Sequence, residues 1–335
     1  MKNIKLKVGV IGLGVGYYHL KCFMQNKFCK VVSVCDFDKK KIDTIKKKFP
    51  KLKTTLNDKD IINNKEIDLV CIASYDNYHC NQILESVKNK KHVFVEKPIC
   101  TNYKEYIKIK NIFKKYPKSK ISSNFILRTS PQFIQLNNLV KMKKFGKIFY
   151  ISGEYNYGRL EKIITGWRGK LKKYSVTHGG AIHIIDLALS IIKKKPDKVS
   201  AGGNKISTER TKFKSNDITT SLIKFNDGTI LNVTSNFGCV MPHHHSFKLY
   251  GTKGTFVQEY NKVNIYSSRD KNTRSVKMKN NYSSKNKKKV LENFIESLTH
   301  KNKPLVDKQD VFNSMAVSIA IDKSVKSNKW EKIKY

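Results

Sequence analysis

The chain has 335 residues, long enough for two hydrophobic cores, with 39% hydrophobic residues and 17 phenylalanines. No apolar run approaches the length of a membrane span, so no membrane association is expected. The formal net charge of +41 raises the question of nucleic acid, but it comes from six arginines and 61 lysines scattered in short runs along the chain.

Base and phosphate readers favour the arginine fork, and no aromatic-laced basic stripe is present. No specific nucleic-acid partner is therefore expected, although the charge should steer anionic ligands and make their binding salt-sensitive. The seven cysteines form no C-x-x-C pair, and several fall inside apolar strands. That usage predicts a reducing, cytoplasmic protein without disulfides. Met1 to Lys5 runs directly into a strand-like segment, so no signal peptide is expected.

Lys5 to Ile11 reads as a buried first strand, followed by Gly12-Leu13-Gly14-Val15-Gly16. Glycines between a strand and a helical pattern let the backbone approach a pyrophosphate. The spacing is G-x-G-x-G rather than G-x-G-x-x-G, with Tyr17 at the usual third glycine, and such a loop says little alone. Its setting says more. Val31 to Asp36 is a second strand, and Asp36 falls twenty residues after Gly16. There a carboxylate accepts from ribose hydroxyls and repels a 2′-phosphate, which predicts NAD over NADP. Two features oppose this reading: Lys39-Lys40-Lys41 would attract that phosphate, and the alternative role for Asp36 is merely to cap a helix beginning near Asp38.

Ile67 to Ala73 is the next strand, and Ser74 to His79 turns into a helix ending near Asn89. Lys91 to Val95 makes another strand, which Pro98 prevents from extending. Lys97 thus stands just past the carboxyl end of a parallel strand, where ligands of open α/β sheets bind; as a surface lysine it would merely cap that strand. A helix from about Asn102 to Lys115 and a strand from Lys120 to Phe125 complete the alternation. A parallel, doubly wound domain over residues 1–124 is predicted.

Beyond Pro131 a helix leads into the strand Ile148 to Tyr155. Further strands are expected at Ile218 to Phe225, Thr229 to Asn236, His245 to Tyr250 and Thr255 to Tyr260, with hairpin signals at Asn226-Asp227-Gly228 and Gly251 to Gly254. These predict an α+β domain over residues 125–304, with a mostly antiparallel sheet open on one face. Ser267 to Lys289 reads as a mobile loop, and helices close the chain at Val290 to His300 and Asp310 to Lys326. The segment His178 to Leu189 is apolar nearly all round and reads as a buried helix. On it His183 and Asp186 share a face, either as an acid–base pair or as a satisfied core histidine. Trp167 and Arg168 would cover a sugar ring or pair with an acidic group. His243-His244-His245 alternate across a strand, so no metal is expected there.

These motifs together resemble the glucose–fructose oxidoreductase/inositol dehydrogenase (Gfo/Idh/MocA) family. The resemblance rests on the glycine loop, Asp36, Ala73 to His79, Lys91-His92-Val93 through Glu96-Lys97-Pro98, Gly179-Gly180 with His183 and Asp186, and Leu249 to Thr252. It implies a Rossmann domain, a substrate domain and a nicotinamide cofactor contacted from the glycine loop, Asp36, Ser74, Tyr75, His79, Glu96 and Lys97. It also implies that Lys97 polarises a reacting hydroxyl or carbonyl of a sugar, cyclitol or sugar nucleotide, while His183 exchanges the proton. Asn124, Arg128 and Tyr155 would stand near the substrate, with a purely structural role equally open for Arg128. The final helix, about 305–326, would pack on the nucleotide domain, and the sheet would join a homodimer or homotetramer. One departure stands out: Gly179 occupies a position where many members carry Asp or Asn. Proton transfer would then rest on His183 with Lys97, with His178 or Tyr155 as substitutes, or the chain would be a non-catalytic sensor of dinucleotide or sugar.

Overall fold

The structure, a computed structural model, describes residues 5–171, 173–260, 262–273, 275–278 and 288–335. It divides into two compact units, Met1–Ile126 with Lys285–Phe312, and Leu127–Ser284 with Asn313–Tyr335.

In the first unit, strands and helices alternate: β1 (Leu6–Ile11), α1 (Gly16–Gln25), β2 (Cys29–Cys35), α2 (Lys39–Lys48), β3 (Lys53–Thr55), α3 (Asp58–Ile62), β4 (Leu69–Ile72), α4 (Asp76–Lys88), β5 (His92–Val95), α5 (Tyr103–Lys115) and β6 (Ile121–Ser123). The sheet is wholly parallel in the order β3-β2-β1-β4-β5-β6, so the order in which strands are added switches sides between β1 and β4. All four residues of β4 are buried, as a strand covered on both faces requires. On α1, Gly16, His19, Leu20 and Phe23 recur at helical spacing and turn inward. A reciprocal cap starts α5: Asn102 Oδ1 accepts from Glu105 N (3.0 Å), and Glu105 Oε2 accepts from Thr101 N (2.8 Å). The sequence reading misses β3 and α3, which are too short for periodicity to register.

Register places the carboxyl ends of the strands in one row. Ile11 pairs with Cys35 and with Ile72, Ile72 with Val95, and Val95 with Ser123. The residues that follow (Gly12, Asp36, Ala73, Glu96 and Asn124) therefore line one edge of the sheet. That is the edge on which an open α/β sheet builds its site.

The second unit opens with α6 (Pro131–Lys141), β7 (Ile148–Asn156) and the short α7 (Glu161–Ile164). A π-helical turn at Thr177–Ala181 leads into α8 (Ile182–Ile192), followed by β8 (Lys198–Asn204), β9 (Ile218–Lys224), β10 (Ile230–Asn236), β11 (His244–Gly251), β12 (Thr255–Glu259), β13 (Lys262–Tyr266) and β14 (Val276–Met278). The nine-stranded sheet, β14-β13-β12-β11-β7-β10-β9-β8-β15, is antiparallel except where β10 runs parallel to β7. Its ninth strand is β15 (Glu331–Lys332). Two helices precede it: α9 (Lys289–Thr299) belongs to the first unit, whereas α10 (Lys308–Ser327) does so only as far as Phe312.

One face of this sheet is core. Ile151, Gly153 and Tyr155 on β7 alternate inward with His245, Phe247 and Leu249 on β11. Helix α8 packs so closely on it that a Cβ at Gly153 would come within 2.4 Å of Ile184 Cγ2. Phe133 of α6 adds its ring to those of Phe247 (5.6 Å) and Phe256 (6.4 Å). The sequence reading misses β8, whose Gly202-Gly203 pair lowers its strand propensity. Within the expected loop from Ser267 to Lys289, Val276–Met278 forms β14 against β13, and residues 274 and 279–287 lie outside the described residues.

Candidate active site

The glycine loop follows from backbone sterics. Gly12 has φ +87°, and a Cβ there would lie 2.4 Å from Ala73 O, so only glycine lets β1 turn against the end of β4. Gly16 begins α1, where its bare backbone meets the Ala73 side chain. Gly14 differs, because nothing in the chain lies within 4 Å of its Cβ position. The protein itself does not use that space, which suits the close approach of a dinucleotide phosphate. Val15, between them, is exposed.

Asp36 follows β2 at the same edge of the sheet. Its Oδ2 accepts from Leu13 N (2.6 Å) and Lys41 Nζ (3.2 Å), and its Oδ1 accepts from Asp38 N (2.9 Å). A carboxylate offers about four acceptor positions, which leaves one for a ribose hydroxyl. The cap of α2 is Asp38, whose Oδ1 accepts from Lys40 N at 2.9 Å. Phe37, an exposed ring, stands edge-on to Tyr75 at 5.4 Å. His79 is buried, its Nδ1 2.6 Å from Pro98 O and its Nε2 3.1 Å from Ser74 O, and it ties the loop after β4 to the loop after β5. Ser74 donates to Gln82 Oε1 (2.6 Å).

Lys97, half-buried, precedes Pro98 through a cis peptide bond. Beside it, Glu96 Oε1 accepts from His19 Nε2 (2.8 Å) and from Asn124 Nδ2 (2.9 Å). Burial would push the Glu96 carboxyl up, but the hydrogen bond and field of His19, the charge of Lys97 and the Asn124 amide outweigh it and hold the group at about 2. Glu96 is therefore an anion at neutral pH, fixed next to the Lys97 ammonium. His19 is absent from the sequence reading. Its signal was positional: it sits on the buried face of α1, where a polar ring needs a partner.

A cleft of about 310 Å³ at the opposite, amino edge of this sheet is lined by Asp68, Lys90, Lys91 and His92. There the Lys91 ammonium is spent on the carbonyls of Asn64 (2.6 Å) and Ile67 (2.8 Å), a structural use.

In the second unit the predicted residues fall into three clusters. Asp186 takes a two-pronged bond from Arg128, Nε to Oδ2 and Nη2 to Oδ1 at 2.7 Å each, and Ser314 Oγ adds a third at 3.3 Å. Both members of the pair are buried, so Arg128 here anchors α8. His183, on the first turn of α8, is 5% exposed and stacks on Tyr155 at 6.1 Å and 23°. Around the same tyrosine stand His243 (5.1 Å) and His245 (5.0 Å), while His244 points to the other face toward Tyr260. Among the described residues no three such side chains are grouped to hold a metal ion. The third cluster joins Trp167, Arg168 and Tyr174, the last absent from the sequence reading. The Arg168 guanidinium lies over the indole at 4.6 Å and donates from Nε to the Tyr174 hydroxyl at 3.0 Å. His178 is held elsewhere, its Nδ1 2.8 Å from Ser175 Oγ and 3.1 Å from Ser318 Oγ.

A 3-2-1-4-5-6 parallel sheet, with a glycine loop at its switch point and an acidic side chain ending the second strand, defines a dinucleotide-binding fold of the Rossmann class. Residues 6–125 match the oxidoreductase family with NAD-binding Rossmann fold, and residues 137–333 match the C-terminal alpha/beta domain of that family, GFO_IDH_MocA. The chain belongs to this oxidoreductase family, as its motifs led one to expect. It is 25% identical over 153 residues to an inositol 2-dehydrogenase of Salmonella typhimurium, an alignment covering 45% of the chain and 46% of that relative, so it matches about half that protein's length. A myo-inositol 2-dehydrogenase of Thermotoga maritima is 21% identical over 342 residues, 98% of each chain. The solved scyllo-inositol dehydrogenase of Lactobacillus casei, with bound NAD(H) and scyllo-inositol, shares the fold with a TM-score of 0.82 at 19% identity, over 98% of this chain and 99% of that one.

Proposed function

We propose that the protein is an NAD-linked dehydrogenase that interconverts a secondary alcohol and a ketone on a cyclitol, sugar or sugar nucleotide. The observation that carries this reading is the carboxyl edge of the parallel sheet, where the loop after β1 leaves open space at Gly14, Asp36 follows β2 and the Glu96–Lys97 pair follows β5. Inositol dehydrogenases among the relatives support the substrate class. A nicotinamide dinucleotide bound there would supply the hydride acceptor or donor.

The protein's part is charge and protons. The Lys97 ammonium, next to the Glu96 anion, stabilises negative charge developing on the reacting oxygen. His183 takes the alcohol proton in one direction and returns it in the other. Asp36 favours NAD: its remaining acceptor position suits a hydroxyl, and its charge opposes a 2′-phosphate. The decisive assay incubates the protein with NAD and a panel of inositols and sugars while following absorbance of reduced cofactor. Lys97→Ala should lower kcat at least a hundredfold, and full turnover in that variant sinks the role.

Gly179, which brings no side chain of its own beside His183, favours a second reading, a non-catalytic sensor. Tight dinucleotide binding with no turnover across the panel would select it. We also assign the outer face of the large sheet to a second copy of the chain, forming a homodimer or homotetramer. Support comes from the Tyr150 and Tyr250 rings, tilted against each other at 5.6 Å, with Leu222 and Val257 half-exposed on the same face. Light scattering that gives a monomer mass would end that assignment. A cytoplasmic setting belongs to the same proposal and is supported by seven cysteines held as free thiols.

A further inference from the structure

The Gly179-Gly180 pair sits in the π-helical turn that feeds His183 into α8, and each glycine admits a ring from another element. A Cβ at Gly180 would lie 2.5 Å from Tyr155 Cδ1 and 2.7 Å from Phe237 Cε2. A Cβ at Gly179 would lie 1.8 Å from the Tyr174 hydroxyl oxygen. The volume belonging to a side chain at position 179 is thus filled by a phenol delivered from five residues upstream. Tyr174 is 8% exposed and wedged among Phe213 (6.2 Å), Phe237 (6.2 Å) and Trp167 (6.3 Å), so the hydroxyl has little freedom to leave.

Hydrogen-bond chemistry sets its polarity. A guanidinium only donates, so the Tyr174 oxygen accepts from Arg168 Nε at 3.0 Å and its own proton must be directed elsewhere. A phenol that accepts from a cation is a stronger donor. Position 179 lies four residues before His183, across the junction of the π-helical turn and α8, which makes the two positions neighbours along the helix. The donor and the imidazole therefore stand side by side along the helix, and the guanidinium behind the donor is fixed by its stack on Trp167. The rings of Tyr174, Phe237, Tyr155 and His183 form a continuous wall.

We infer that Tyr174, oriented by Arg168, is a substrate-positioning residue: its hydroxyl donates to a ligand oxygen beside His183 and fills the role left open by the bare backbone at Gly179. This rests on the dehydrogenase reading. In the oxidative direction the alcohol proton passes to the His183 imidazole and the hydride leaves carbon for the cofactor. Tyr174 keeps its proton throughout and holds the oxygen in place.

The test uses the full chain with NAD and the inositol and sugar panel. Tyr174→Phe should lower kcat/KM about 10- to 100-fold with an unchanged melting temperature. The double variant Tyr174→Ala/Gly179→Asp, which clears the space and puts a carboxylate into it, should regain part of the activity lost in Tyr174→Ala. That rescue should add a new limb to the pH–rate profile in the carboxylate range. Turnover by the wild type with Tyr174→Phe equally active overturns the inference and leaves the dehydrogenase reading intact. A Tyr174→Phe loss matched by a fall in melting temperature, with no rescue by Gly179→Asp, shows packing alone and also overturns it. No turnover by the wild type on any compound removes the dehydrogenase reading, and the inference with it.

Discussion

The carboxyl edge of the parallel sheet and the His183 region of the second unit are built by opposite means. On the sheet edge, backbone does most of the placing: strand register aligns Gly12, Asp36, Glu96 and Asn124, and a left-handed glycine turns the chain. Around His183, the placing is done by side chains that meet across long stretches of sequence. Arg128 reaches Asp186 58 residues on, and Ser314 reaches it from 128 residues beyond. A site set by backbone tolerates side-chain change but not changes in φ; a site set by distant pairs should behave in the reverse way.

Breaking one such pair gives the largest expected effect. Arg128→Ala leaves the Asp186 carboxylate buried without its two-pronged donor, and stranding a buried charge costs about 3–5 kcal/mol. Amide exchange across α8 should then accelerate by roughly a hundredfold or more. Replacing both partners with apolar residues, Arg128→Met with Asp186→Leu, should restore most of the protection, because no charge is left stranded. If Arg128→Ala leaves exchange in α8 unchanged, the second region does not depend on its long-range pairs and the contrast fails.

The same division explains what the sequence disclosed. Lys97 and Asp36 were legible because a strand's length and its terminating residue fix where the next side chain stands. The G-x-G-x-G spacing was readable in the same way, since glycine requirements are local. Asp186 was correctly set on the helix of His183, but its partner was not legible, because nothing in the local pattern names a residue 58 positions away. Tyr174 escaped for a subtler reason. Its significance lies in the volume over Gly179, which periodicity does not report; a missing acid beside a histidine was the clue that some other polar group had to approach.

A smaller effect tests whether the sheet edge also depends on distant side chains. Glu96 is held by His19, 77 residues away, and its carboxyl lies at about 2, below the ordinary value of 4.5. A depressed carboxyl contributes stability that is fully present above pH 4.5 and is lost as pH falls toward 2, on the order of 3 kcal/mol in total. Glu96→Gln should therefore be less stable than the wild type at neutral pH by that order, and the two urea-denaturation curves should converge near pH 2. Parallel stability profiles across that range would show that the His19–Glu96–Asn124 cluster does not hold the edge together.

The smallest change in stability is expected at Gly14, and it isolates the backbone contribution. Gly12→Ala would force a Cβ against Ala73 O at a positive φ, so its loss of binding would be confounded with misfolding. Gly14 has an ordinary φ and nothing of the chain within 4 Å of its Cβ position, so alanine fits and removes unfolded-state entropy. Gly14→Ala should melt at or slightly above the wild-type temperature, by about 0.4–1 kcal/mol. Yet the added methyl occupies the space through which a pyrophosphate would approach, so NADH affinity measured by titration calorimetry should fall at least tenfold. Stability and binding would then move in opposite directions at one atom, the signature of a glycine kept for a ligand rather than for the fold. Unchanged affinity would place the pyrophosphate elsewhere and remove Gly14 from the cofactor site.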